Sequence, residues 1–247
     1  MTALLLALVA GAVIGLALGG LGGGGSVLAV PALIYLLGFT PAEATTASLV
    51  IVTLTSVTAL TGHARDGNVT WRTGLLFAAA GIVPAMLAGA AAGHLPQAVL
   101  TVAFSLIAAL AALRMLRPAR TEPTGRVNPG KAGATGAGLG AVTGFLGVGG
   151  GFLAVPALVG VLKLPMRRAV GTSLLVITIN SLAALGARAG TGMHLDWTVI
   201  APFTAAAMLG AWDGKRLAKK LKGKTLQRVF AYVLLAVAAF MLADALM

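Results

Sequence analysis

"GGLGGGGSVLAVPAL", Gly19 to Leu33, has six glycines among its first seven residues and then continues as an apolar run through Val-Pro. A second stretch, "GFLGVGGGFLAVPAL", Gly144 to Leu158, nearly repeats it. Glycine carries no Cβ, so clustered glycines expose backbone groups and interrupt a helix at the point where another can begin. The two stretches predict two helix breaks in an otherwise apolar chain.

Composition places those breaks in a membrane. The chain has 247 residues, of which 58% are hydrophobic and 10% charged, far from the usual composition of soluble domains. Residues 1–42 and 73–113 contain no Asp, Glu, Lys or Arg, and each run could cross a hydrocarbon core of ~30 Å twice. Spans in lipid must satisfy their own backbone groups, so an all-α polytopic membrane protein is expected.

The charges and the reactive side chains exclude several other classes. A net charge of +12 could suit nucleic acid, but in a polytopic protein Lys and Arg in short loops record orientation, so the lipid bilayer is the expected partner and nucleic acid is not. The first basic residue is Arg65, so the N-terminal segment lacks the basic region of a signal peptide and should be retained. There is no cysteine, His63, His94 and His194 have no metal-ligand spacing, and no metal or cofactor is expected.

The apolar runs predict five segments in each half of the chain. A polar linker at 117–131 separates a first transmembrane repeat, 1–116, from a second, 132–247, within one integral-membrane domain. Two of the segments are short, so the expected number of helices is eight to ten, including broken or re-entrant ones. The predicted segments are 3–20, 26–38, 44–62, 73–93, 97–113, 132–147, 151–162, 169–187, 197–212 and 227–243.

The two halves align in one register, residue n over residue n+125. The register superposes Gly11, Gly15 and Gly19 on Gly136, Gly140 and Gly144, and it continues through Leu28–Leu33 over Leu153–Leu158. It also superposes Ser48 and Thr53 on Ser173 and Thr178. The chain is therefore an internal duplication, an architecture common among secondary transporters.

Loop charges predict that the repeats are inverted. In the first half the cations lie near 63–72 and in the linker, whereas in the second half they lie near 163–168 and 215–228, with Arg188 alone in between. By the positive-inside rule, loops that face outward in one half have inward-facing counterparts in the other. Five passes per half then place both termini outside.

The consecutive glycines are the first candidate site. Residues after "GGGG" open a helix, so free amides and the positive dipole end would point at a ligand over Gly24, Gly25 and Ser26, with Gly149 and Gly150 as the second set. Such an end binds anions. The alternative is close helix packing, which we expect for the spaced glycines 11, 15 and 19, for 89 with 93, and for 210 with 214.

Hydroxyls and one amide form the second candidate set. Ser48, Thr53, Ser173, Thr178 and Asn180 lie in the third and eighth segments and could hydrogen-bond an oxyanion without carrying charge. Each hydroxyl could equally bond its own helix backbone. Asn180 is the sharpest candidate, because an amide in a membrane needs a partner. Glu43 is better explained as a helix cap than as a proton carrier.

Two further functions remain open on the residues alone. An intramembrane enzyme would need a nucleophile with a base, but the repeat mate of Ser26 is Gly151 and no histidine is well placed. A passive anion channel would use the same backbone donors and hydroxyls.

Across nearly its whole length the chain resembles the sulfite exporter TauE/SafE family. The resemblance rests on the doubled glycine-rich segments followed by "VLAVPAL" and "FLAVPAL", on "GNVTW" at 67–71 and on the looser "GMHLDW" at 192–197. It implies a transporter of small sulfur-containing anions, such as sulfite or sulfonates, in the bacterial inner membrane. The two half-sites need not be equivalent, since Val148 and Gly151 stand where the first copy has Gly23 and Ser26. Oligomeric state, coupling ion and direction of transport stay open.

Overall fold

The computed structural model describes residues 2–92, 97–116, 128–145, 151–188 and 195–246. This part of the chain forms ten helices and no strands, which confirms the all-α prediction. The helices are α1 (Thr2–Leu21), α2 (Gly24–Tyr35), α3 (Pro41–Arg65), α4 (Trp71–Ala92), α5 (Gln97–Leu116), α6 (Pro129–Phe145), α7 (Gly151–Gly160), α8 (Met166–Arg188), α9 (Trp197–Lys220) and α10 (Gly223–Leu246).

Six of these helices, namely α1, α3, α4, α5, α8 and α10, are long and apolar enough to cross a membrane. The helices that follow the glycine stretches, α2 and α7, are shorter, with 12 and 10 residues. Each carries its Val-Pro proline inside the helix. The predicted short segments after the breaks are therefore confirmed as helices of their own.

Helix α9 is the element whose extent the sequence prediction missed. It continues through Lys220 instead of stopping near residue 212, so the cations of 215–220 lie on a helix and not in a loop. The last turns still suit this charge, because Lys near a helix C-terminus complements the helix dipole. The expected linker also ends early, since α6 already begins at Pro129.

Spaced glycines join helices of opposite halves at backbone contact. A Cβ built on Gly15 of α1 would collide with the carbonyl of Ala207 in α9, and one on Gly140 of α6 would collide with that of Gly81 in α4. Gly11 and Gly19 of α1 and Gly210 and Gly214 of α9 make the same kind of contact, which confirms the packing prediction for these residues. Because α1 packs on α9 and α6 on α4, the two halves interleave.

Polar contacts bring the end of α3, the start of α8 and the end of α9 together at one end of the helix bundle. Lys219 on α9 bonds Asp66, which ends α3, with 2.9 Å between Nζ and Oδ1. Arg167, at the start of α8, donates to the carbonyls of Lys219 and Leu221 at 2.9 and 3.1 Å. The end of α3 thus lies beside the start of α8, its repeat equivalent, so the two repeats run in opposite directions through the membrane.

The opposite end of α3 is closed by a capping box. The Glu43 amide donates to Thr40 Oγ1 at 3.4 Å, and the Thr40 amide donates to Glu43 Oε2 at 3.1 Å. This reciprocal pair satisfies amides at the helix start. The capping interpretation of Glu43 is confirmed.

Candidate functional site

The first glycine break is a sharp turn between α1 and α2. Gly22 has φ of +70°, a conformation that only glycine adopts readily, and the Gly25 amide donates to the Gly22 carbonyl at 3.2 Å. A Cβ on Gly25 would collide with the backbone of Leu18 in α1. The amide of Gly25 is therefore used within the turn, and the glycine is also required for packing.

The starts of α2 and α7 meet in the interior. A Cβ on Gly23 would collide with the carbonyl of Gly151, the first residue of α7. A Cβ on Gly151 would lie 2.8 Å from Ser26 Oγ. The helices that follow the two glycine stretches therefore touch at their first residues, while Gly149 and Gly150 lie outside the described residues.

One face of α8 runs along both breaks. A Cβ on Gly22 would lie 2.5 Å from Ser173 Oγ, and one on Gly151 would lie 2.6 Å from Ile177 Cγ1. Asn180 follows Ile177 by three residues and so continues the same helical face. Its Oδ1 atom is buried without a hydrogen-bond partner among the described residues.

The hydroxyls of the candidate set bond their own helices, the alternative that the sequence left open. Ser26 Oγ donates to the Gly23 carbonyl at 2.8 Å. The same pattern holds for Ser48 to Thr45 (2.8 Å), Thr53 to Leu49 (2.6 Å), Ser173 to Val170 (2.8 Å) and Thr178 to Leu174 (2.8 Å). A hydroxyl has one proton to donate, so each would have to rotate before it could donate to an anion.

A buried contact joins hydroxyls on the central helices of the two repeats. Ser56 Oγ on α3 lies 2.9 Å from Thr178 Oγ1 on α8, and both residues are buried. Ser56 Oγ also lies 3.0 Å from the Thr53 carbonyl, and Thr178 has its own bond to Leu174, so the two hydroxyl protons serve three possible bonds. This shared arrangement links the central helices of the two repeats.

Two buried ionisable side chains lie beside the first break, and the sequence prediction missed their burial. His63, on α3, is 5% exposed and its Nε2 lies 3.0 Å from the carbonyl of Gly19. Lys215, on α9, is 9% exposed and donates to the Gly62 carbonyl at 2.6 Å. Sequence reasoning put both residues at loop boundaries, and only the packing of α9 against α3 brings them into the interior.

Asp66 forms ion pairs with two lysines at this end of α3. Lys215 Nζ and Lys219 Nζ each lie 2.9 Å from its Oδ2. Partial burial acts to raise the pKa of Asp66, but the hydrogen bonds and charges of the two lysines outweigh it and hold the pKa below its usual value. The carboxylate therefore stays ionised and balances part of the local positive charge.

The polar groups at this place can stabilise negative charge. Helix starts, hydroxyls and a buried lysine all favour negative charge. Among the described residues there is no group of three His, Asp or Glu that could hold a metal ion.

An inverted duplication with two broken helices meeting in the interior defines a polytopic membrane protein of the transporter class. A sequence model of the family described as "Sulfite exporter TauE/SafE" matches residues 7–241, so the chain belongs to the TauE/SafE family. The family is one of transporters, which removes the intramembrane enzyme from consideration.

Known relatives carry consistent names. A protein of Xylella fastidiosa (strain 9a5c), named "Probable membrane transporter protein", is 35% identical over 241 residues, covering 94% of this chain and 92% of the relative. A namesake from strain Temecula1 is 34% identical with the same coverage. "Probable membrane transporter protein YunE" of Bacillus subtilis (strain 168) is 26% identical, covering 87% of this chain and 88% of the relative.

Proposed function

We propose that the protein is a secondary carrier of small sulfur-containing oxyanions, such as sulfite or a simple sulfonate, in the bacterial inner membrane. The observation that carries this proposal is the meeting of the α2 and α7 starts at Gly23 and Gly151, with Ser26 between them. Two helix starts that lie this close together favour an anion beside them more than either start alone. The family description supplies the sulfur chemistry.

The site extends from these ends to the neighbouring hydroxyls. Gly24, Gly149 and Gly150 contribute backbone donors, and Ser26 contributes its hydroxyl. Gly25 belongs to the same set, but its amide must release the Gly22 carbonyl before it can donate to the anion. The neutral partners around the substrate are Ser48, Thr53, Ser173, Thr178 and Asn180. Asn180 is assigned to the site through its Nδ2 group, which can donate to an oxyanion, and its buried Oδ1 has no partner among the described residues that would fix the amide. Binding requires the hydroxyls to exchange their own-helix bonds for the anion, which weakens affinity and eases release.

Transport proceeds by alternating access, with the site reached from each side in turn. The packing between the two halves determines which helices move together. Backbone contacts at glycine hold α1 to α9 and α6 to α4. Each structural unit that moves during transport therefore contains a helix from the other half of the sequence. The boundaries 1–116, 117–131 and 132–247 mark the duplicated halves of the sequence and not these moving units.

Flux measurements in proteoliposomes test the proposal. We expect radiolabelled sulfite or methanesulfonate to exchange across the membrane, and trans-side unlabelled anion to accelerate the exchange, as a carrier requires and a passive channel does not. Absence of flux for sulfite, sulfate, thiosulfate, sulfonates and carboxylates contradicts transport of such anions. Flux without trans-acceleration identifies the channel.

A matched pair of polar-residue variants tests the site. Asn180→Leu should reduce sulfite exchange strongly, whereas Thr61→Val should leave it unchanged, because Thr61 is exposed on α3 and bonds only its own helix among the described contacts. Unaltered exchange in Asn180→Leu removes Asn180 from the site.

Labelling tests the orientation, with both termini outside. The 25 residues of α3 rise ~37 Å, so its two ends lie on opposite sides. Lys220→Cys, at the same end of the bundle as Asp66, should resist an external impermeant thiol reagent. Ala42→Cys, at the other end of α3, should react with it. The reverse pattern inverts the topology.

A further inference from the structure

Lys215 is the one Lys or Arg that is buried in the part of the chain that the structure describes. It lies level with the first glycine break: its neighbour Gly214 has its carbonyl 3.1 Å from where a Cβ on Gly20 would be. His63, next to the Gly62 carbonyl that accepts from Lys215, reaches Gly19 of the same segment. A formal positive charge therefore lies at the level of the first glycine break, beside the end of α1.

A buried ammonium group is costly unless a negative charge accompanies it. Asp66 provides that charge at 2.9 Å, with its side chain 22% exposed. The carboxylate is itself shared with Lys219, whose side chain is 50% exposed. Asp66 thus has a second partner at the surface, and it can leave Lys215 without losing every ion pair.

The repeat has no second copy of this pair. In the n+125 register Lys215 corresponds to Ala90 and Asp66 to Thr191, neither of which carries a charge. A fixed structural requirement of the duplicated fold would be expected in both halves. The pair instead belongs to one break alone.

We propose that Lys215 supplies the positive charge of the anion site and that Asp66 is its counter-ion in the empty carrier. An incoming oxyanion takes the place of the Asp66 carboxylate on Lys215, and Asp66 remains with Lys219. The lysine is then compensated in both the loaded and the empty protein. The inference rests on the proposed carrier function and adds to it the residue that selects an anion over a neutral solute.

The charge exchange predicts a split between two transport modes. In Asp66→Asn the empty protein carries an uncompensated buried charge, which slows its reorientation, while the loaded protein keeps the anion on Lys215. With radiolabelled sulfite in proteoliposomes, net efflux should fall by about tenfold or more, whereas sulfite–sulfite exchange should stay within about twofold of wild type. Lys215→Met should lose both modes.

Asp213→Asn is the matched control. It removes an exposed carboxylate that pairs with Arg216 on the same helix at 3.4 Å, and it should leave both modes at wild-type rates. Asp66→Glu, which keeps the negative charge, should retain the net efflux that Asp66→Asn loses. If Asp66→Asn does not fold, the double variant Lys215→Met/Asp66→Asn removes both charges together and should fold without transporting.

Each other outcome overturns the inference. Equal rates in both modes for Asp66→Asn, wild-type transport in Lys215→Met or in the double variant, or a parallel loss of both modes in Asp66→Asn that Asp66→Glu does not share, all leave the pair with a structural role only. These results presuppose sulfite flux in wild type. Absence of that flux contradicts the proposed function itself and the inference with it, and so is told apart from failure of the inference alone.

Discussion

Spaced glycines and consecutive glycines perform different tasks in this molecule. Along α1, Gly11, Gly15 and Gly19 recur every four residues, share one helix face and bring the backbone of α9 into contact. At the break, Gly22 and Gly23 instead turn the chain and allow the starts of α2 and α7 to touch. The spacing of the glycines therefore distinguishes two roles. Glycines four residues apart allow two helices to pack closely, whereas consecutive glycines end one helix and start another, and both roles depend on the absence of a Cβ.

The largest effect is expected from a bulky residue in the spaced set. Gly15→Leu forces a side chain into the carbonyl of Ala207, and since neither backbone can move without separating α1 from α9, folded protein should be lost. Gly138→Leu is the control, because nothing lies within 4 Å of a Cβ there. The yield and monodispersity of detergent-solubilised protein are compared between the two variants. Comparable yields would show that Gly15 is not needed for the packing of α1 against α9.

A small residue at the break should impair transport before it impairs folding. Gly23→Ala pushes α2 from the Gly151 carbonyl, which displaces the two helix starts from each other. We expect about tenfold weaker sulfite binding, equivalent to ~1.4 kcal/mol, in protein that remains monodisperse. Gly160→Ala, at an open position of α7, should bind normally. Wild-type binding by Gly23→Ala would show that the close approach of the helix starts does not matter to the anion.

A smaller effect is expected at the hydroxyl contact that links α3 to α8. Ser56→Ala and Thr178→Val each remove one side of the 2.9 Å contact, and hydrogen bonds between membrane helices contribute on average about 0.6 kcal/mol. A double-mutant cycle on unfolding should give a coupling of about that size. A coupling of zero would mean that each hydroxyl is satisfied by its own helix alone.

The smallest effect concerns the pH dependence of stability at the end of α3. The pKa of Asp66 is lowered in the folded protein by its two lysines, so its contribution is complete above the unfolded pKa of about 3.9 and is lost as pH falls through the folded value. The difference in thermal stability between wild type and Asp66→Asn should therefore be constant near neutrality and shrink at acidic pH. A difference that grows on acidification would contradict the lowered pKa.

Much of the fold followed from local pattern. The ten segments, the short helices after the glycine stretches, the adhesive glycines of α1 and the cap at Glu43 all depend on neighbouring residues, whose periodicity and turn chemistry the sequence displays. Inverted orientation followed as well, because loop charge responds to the membrane as a whole. The end of α9 was missed since Lys215 and Lys219 suit a helix end as well as a loop.

The candidate site was harder to predict because its contacts connect distant residues. The sequence placed Ser173 and Asn180 on one predicted helix of the candidate site. It could not show that Ser173 lies against Gly22. It also could not show that the other hydroxyls bond the backbones of their own helices. His63 and Lys215 lie 152 positions apart, and nothing local to either predicts burial. Their polarity even argues for a surface location.

Sequence by itself determined that this protein is a duplicated, inverted, all-helical membrane protein with two glycine-rich stretches, because hydrophobicity, glycine spacing and loop charge act locally or through the bilayer. Tertiary structure alone decided that the halves interleave, that the breaks meet at Gly23 and Gly151, and that Lys215 lies buried beside Asp66. Those features arise where backbones come into contact across long sequence separations, and such contacts depend on the packing of the whole bundle.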